Sequence, residues 1–218
     1  MSNLHYTKKE FYKRKLPHFQ NKGALFFITY NVKNAVNNGD VEKIKQVFQE
    51  RVEKILRDNE NYTERLDEEY RRYFGKFDNL LHKSKENYFL KNNECAKTVA
   101  ESLHFWDGKR IELYSYCVMS NHVHAVLKVF EEDEKGNELF LQDIMESVKK
   151  YSAKKCNMIL GRTGQFWQNE TYDRIVRDRG ELYRIISYIL DNPVKAGLCI
   201  SRSDWPHSYI KDEYNEFM

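Results

Sequence analysis

Two histidines one residue apart, His122 and His124, stand inside Cys117 to Val126, a stretch that reads C-V-M-S-N-H-V-H-A-V. Leu113 to Met119 before the pair and Ala125 to Phe130 after it are rich in β-branched and aromatic residues, which predicts strand structure on both sides of a short turn at Ser120-Asn121. Alternate side chains of a strand share a face, so both imidazoles project the same way from Cα atoms roughly 6.6 Å apart. One metal ion at about 2.0–2.1 Å from each nitrogen spans that gap. Two histidines alone leave such a site incomplete, and a solvated pair on a strand explains the bare pattern equally well. Near the C-terminus, Tyr188 and Asn192 are four apart on a predicted helix and so share a face, with Cβ atoms about 5–6 Å apart. If that face leans over the histidine strand, the Asn192 amide oxygen becomes a third ligand and the Tyr188 hydroxyl lies beside the ion.

The elements that must position these residues follow from periodicity. After a polar, basic arm over residues 1–22, Leu25 to Tyr30 reads as a buried strand entered after Gly23. Ile44, Phe48, Val52 and Ile55 recur at helical spacing. Residues 58–90 alternate charges around Leu66, Tyr70, Phe74, Phe77 and Leu81 and read as inserted, exposed helices. Asn92 to Phe105 is a further helix, and Asp107-Gly108 turns into the histidine-bearing strands. Leu139 to Leu160 is a long helix that carries lysines on its polar side, ended by the glycines at 161 and 164. Phe166 to Val176 reads as the last strand. Asp178 then caps a helix from about Gly180 to Asp191 that Pro193 limits. The resulting fold class is α+β: a ferredoxin-like βαββαβ antiparallel sheet with helices on one face, an inserted helical segment, and a C-terminal helix bearing Tyr188. The whole chain, 1–218, is expected to be one such domain with 58–90 as its insertion.

These pieces resemble a known family. His-hydrophobe-His on a strand, followed by Y-I-L-D-N-P-V-K-A-G-L from Tyr188 to Leu198, is similar to the REP-associated tyrosine transposases of the single-tyrosine HUH transposase superfamily. The likeness extends to F-W-Q-N-E-T-Y-D-R-I-V-R-D (Phe166 to Asp178), to D-W-P-H-S-Y (Asp204 to Tyr209) and to K-R-K-L-P-H-F-Q near the start. One departure is Ser120, where the family pattern has proline before Asn-His; it is a turn residue and not a ligand. The resemblance implies that Tyr188 is a nucleophile and that His122, His124 and Asn192 bind a divalent ion. Imidazole alone suits zinc as well, but an amide oxygen with phosphate oxygens, and the family, favour Mg2+ or Mn2+. It implies a single-stranded DNA endonuclease and strand transferase that forms a 5′-phosphotyrosine link on hairpin DNA of a palindromic repeat, as a monomer or homodimer. Trp167, Tyr172 or Trp205 could then stack on unpaired bases, with a core position equally open for each, while Arg14, Lys149, Lys150, Arg174, Arg177 and Lys195 would meet DNA.

Composition bounds the alternatives. In 218 residues, 36 lysines and arginines are nearly balanced by 33 acidic residues, so the formal net charge of +3 does not itself demand a polyanionic partner; clustering matters more. Cys95, Cys117, Cys156 and Cys199 form no C-x-x-C, which leaves a zinc ribbon unsupported and argues against a disulfide framework. With mean hydropathy of -0.79 and no apolar run of membrane-spanning length, a cytoplasmic protein without membrane partners is expected. Two rival readings remain: a domesticated DNA-binding protein or repressor that keeps the fold without cutting, and a metal hydrolase that uses bound water.

Overall fold

The computed structural model describes residues 11–13, 17–19, 22–58 and 62–218. The chain divides into two compact units, one comprising residues 34–88 and the other the flanking segments 1–33 and 89–218.

The larger unit is built on a five-stranded antiparallel sheet. With a short hairpin of β1 (Phe11–Lys13) and β2 (Pro17–Phe19) counted first, its strands are β3 (Leu25–Asn31), β4 (Ile111–Val118), β5 (His122–Val129), β6 (Tyr172–Ile175) and β7 (Ser208–Ile210), in the spatial order β6-β3-β5-β4-β7. Removing β7 leaves the ferredoxin-like order, fourth-first-third-second in chain sequence. The central strands β3 and β5 are flanked by partners on both sides, which is why Phe26, Phe27 and Ile28 are fully enclosed. Each such side chain contributes roughly 1.5–3 kcal/mol of burial energy.

Pleating gives the sheet two chemically different faces. Phe27, Thr29 and Asn31 of β3 stand beside Val126, His124 and His122 of β5. Phe26, Ile28 and Tyr30 stand beside Leu127, Ala125 and Val123 on the other face. Helices α3 (Asn93–His104) and α4 (Leu141–Ile159) cover the second face and pack on each other, the Cys156 thiol of α4 lying 3.7 Å from the Cys95 carbonyl of α3. Trp167 fills the space behind Tyr30, at 4.8 Å between ring centroids, and donates its Nε1 hydrogen to Ser152 Oγ on α4 at 3.0 Å. Helix α5 (Arg179–Lys195) covers the first face, so the helices lie on one face of the βαββαβ core only as far as α3 and α4 are concerned.

The smaller unit holds α1 (Asn38–Arg57) and α2 (Tyr62–Lys83), joined by Phe48 of α1 against Tyr70 and Tyr73 of α2 at 5.0 and 4.9 Å between centroids. The period-3.6 stripe of residues 44–55 is thus used on α2, and α3 is the helix that connects the first two strands of the sheet. Helical periodicity says that a partner exists, not which one.

Helix α5 also runs past its expected end, through Pro193 to Lys195. The proline falls in the last turn, where it removes a single intrahelical N–H, and Gly197 in a left-handed conformation (φ 67°) closes the end as Ala196 and Leu198 donate to the carbonyls of Asn192 and Pro193. Its start is as the sequence suggests: Asp178 Oδ1 accepts from Glu181 N at 2.7 Å, and Glu181 Oε2 from Arg177 N at 2.8 Å.

Candidate active site

The turn Met119 to His122 delivers the first histidine. Met119 N donates to the His122 carbonyl at 2.8 Å, and the turn is pinned from outside by Val32 N to the Asn121 carbonyl at 2.8 Å and Leu90 N to the Ser120 carbonyl at 3.1 Å. Serine in place of the proline expected at 120 costs nothing here, because the group the neighbour uses is a carbonyl that either residue supplies. His124 follows two residues later on the same face of β5, and both rings are buried, at 1% and 0% exposure. Their Nε2 atoms converge to 3.1 Å, with ring centroids 4.7 Å apart.

Each Nδ1 is held by a neutral oxygen. His122 Nδ1 lies 2.7 Å from Asn121 Oδ1, and His124 Nδ1 lies 2.7 Å from Thr29 Oγ1, on the strand directly opposite. When both far nitrogens donate to these oxygens, the two Nε2 lone pairs point at one location, and their 3.1 Å separation is one that a divalent ion about 2.1 Å from each nitrogen can bridge. The donor chemistry therefore fits a bound cation. Cys117, across from His124 on β4, is not a third donor of the same kind: burial pushes its thiol up to about 12, and its sulfur rests 3.5 Å from Met119 Sδ.

Helix α5 brings Tyr188 to the same place. Its ring sits 5.5 Å from the His124 ring and 5.9 Å from that of Phe27, edge to face with both, and Lys195 Nζ lies 5.7 Å from its centroid. Tyr188 is half-buried. Asn192, one turn further along this face, is buried, and its Nδ2 donates to the Tyr188 carbonyl at 2.7 Å. That bond assigns the nitrogen of the carboxamide to the helix backbone and makes the oxygen its acceptor atom.

The residues expected to touch DNA fall into distinct groups. Lys150, Arg177 and Lys195 are exposed, and Lys150 lines a groove of about 750 Å³ between α4 and residues 164–171. Lys149 reaches into that segment instead and donates to the Gln168 carbonyl (3.1 Å), the Glu170 carbonyl (3.3 Å) and Thr171 Oγ1 (2.6 Å), which engages all three ammonium hydrogens. Arg174 is tied to Glu181 at 2.5 Å. Trp167, at 4% exposure, has no ring face to offer a base. Trp205 is partly exposed with its Nε1 donating to the Val118 carbonyl at 3.1 Å, Tyr172 is buried, and Arg14 lies outside the described residues. A lysine that clips a loop and a tryptophan that fills a core have the same letters as ones that bind nucleic acid, so sequence position alone leaves both readings open. Thr29 and Asn121 were not singled out from sequence. Thr29 becomes visible only once β3 and β5 are in register.

No protein-family model matches the chain. Over 102 residues it is 26% identical to a putative REP-associated tyrosine transposase of Haemophilus influenzae, a match covering 44% of this chain and 57% of that relative's length. A solved structure described as a REP-associated tyrosine transposase bound to a REP hairpin superposes with a TM-score of 0.53 at 15% identity, covering 95% of this chain and 87% of the other. The chain has the fold of a REP-associated tyrosine transposase. Its resemblance to these transposases therefore rests on sequence over part of its length and on architecture over nearly all of it. Among the described residues, no helix is long and apolar enough to cross a membrane.

Proposed function

We propose that this protein is a transposase-like enzyme that cuts and rejoins single-stranded DNA next to a hairpin, using Tyr188 as nucleophile. The observation that supports the reading most is the approach of the Tyr188 ring to His124, where two buried Nε2 atoms converge 3.1 Å apart. In this reading His122, His124 and Asn192 hold a divalent ion, Mg2+ or Mn2+, which when bound polarises the scissile phosphate and offsets charge on its oxygens. Tyr188 Oη attacks phosphorus, the P–O3′ bond breaks, and the phenol proton is balanced by the proton that the departing 3′-oxygen takes up from solvent. The product is a 5′-phosphotyrosine and a free 3′-hydroxyl. Reversal by a 3′-hydroxyl rejoins a strand without ATP, since the phosphodiester's energy is conserved in the covalent link.

Phe27 and His124 wall the Tyr188 ring on two sides and restrict its rotation, so the phenol is presented before DNA arrives. Lys150, Arg177 and Lys195 are the exposed cations placed to meet phosphates, with Lys195 nearest the nucleophile. A panel of DNA hairpins with single-stranded flanks, incubated with the protein and Mn2+, tests the reading. A denaturation-resistant protein-DNA adduct that Tyr188→Phe abolishes is the expected result. Hairpin binding without any adduct across the panel would instead identify a binding protein that keeps the fold without the chemistry, and metal-dependent cleavage that survives Tyr188→Phe would identify a hydrolase.

A further inference from the structure

The two histidines differ from ordinary surface imidazoles in what their far nitrogens touch. His122 Nδ1 faces the carboxamide oxygen of Asn121 at 2.7 Å, and His124 Nδ1 faces the hydroxyl of Thr29 at the same distance. A carboxamide oxygen can only accept, so His122 carries its hydrogen on Nδ1 and its lone pair on Nε2. The Thr29 hydroxyl, which can donate or accept, can accept from His124 Nδ1 in the same way; with an ion bound, both Nε2 lone pairs then point to one spot. Both partners are fixed. Asn121 is 2% exposed in a turn whose backbone is bonded to β3, and Thr29 is 1% exposed in the central strand directly opposite His124.

We infer that Asn121 and Thr29 are positioning residues that fix the tautomer and ring orientation of His122 and His124 for a divalent ion. The inference rests on the reading above that these histidines hold the ion. Metal-binding histidines commonly donate their second N–H to a carboxylate, which raises ligand basicity; an uncharged oxygen orients the ring without that gain.

Mn2+ titration followed by electron paramagnetic resonance separates the possibilities, with circular dichroism to confirm folding. Asn121→Ala and Thr29→Val should each weaken Mn2+ binding by about 10–100-fold. Thr29→Ser, which keeps the hydroxyl, should restore the native affinity, and Asn121→Asp should bind Mn2+ at least as tightly as the native chain and retain Zn2+ better. Native affinity in Asn121→Ala and Thr29→Val, or equal losses in all four variants, would overturn the inference while leaving the ion reading intact. Native affinity in His122→Ala and His124→Ala would remove the ion reading and this inference with it. A second measurement needs no variant: nitrogen-15 shifts of the imidazoles in the Mg2+-saturated native chain should report Nδ1–H for both rings, and an Nε2–H form of His122 there would contradict the assignment.

Discussion

The two faces of the central sheet use the same strands for opposite purposes. On the α3/α4 face, β3 and β5 present Phe26, Ile28, Tyr30, Val123, Ala125 and Leu127, nearly all hydrocarbon, against two helices. On the α5 face they present Phe27, Thr29, Asn31, His122, His124 and Val126, and four of these six are polar and buried. Buried polar groups must be bonded or they destabilise, and here they are bonded to one another and to neighbouring backbone. One face therefore stores stability and the other stores a chemical arrangement that the first face makes rigid enough to keep.

That contrast can be broken by substitution, and the largest expected effect is on chemistry alone. Tyr188→Phe should reduce covalent adduct formation by more than about a thousandfold, as loss of a nucleophile does. Its unfolding free energy should change by less than about 1 kcal/mol, because the hydroxyl lies on a half-buried ring. A chemical denaturation curve shifted by several kcal/mol would mean that Tyr188 belongs to the core. Next in size, Ile28→Ala or Leu127→Ala on the opposite face should cost roughly 2–5 kcal/mol of stability through the cavity each leaves. The folded fraction should still bind Mn2+ with native affinity in titration. Equal loss of ion binding would show that the two faces are not separable.

Smaller effects distinguish neighbours that look alike in sequence. Lys149→Met leaves four oxygens of the 168–171 segment without their shared donor and should lower stability by about 1–3 kcal/mol, measured by thermal melting, with little change in the salt dependence of DNA binding. Lys150→Ala should do the reverse: a near-native melting temperature, and a slope of log affinity against log salt that is shallower by about 0.7–0.9 if Lys150 meets one phosphate. Interchanged outcomes would mean that the clip and the contact have been assigned the wrong way round.

Much of this was legible in the order of residues. Period-2 alternation around His122 and His124 gave their shared face, and the four-residue spacing of Tyr188 and Asn192 gave theirs, because both follow from backbone geometry alone. What sequence could not supply was long-range pairing. Nothing local says that Thr29 stands opposite His124, that the stripe on α1 is met by α2, or that Lys149 ends among the carbonyls of residues 168–171. The end of α5 departs from the sequence expectation for a local reason: proline in a last turn removes a single hydrogen bond and does not stop the helix, and the chain closes instead at Gly197.

The most direct test of the central claim is to digest the adduct formed with Mn2+ and a flanked DNA hairpin, and to locate the modified residue by mass spectrometry. The result expected is one phosphonucleotide on the peptide containing Tyr188, absent when EDTA is present from the start. A nucleotide attached to any other residue, or an adduct that forms equally well in EDTA, would contradict it.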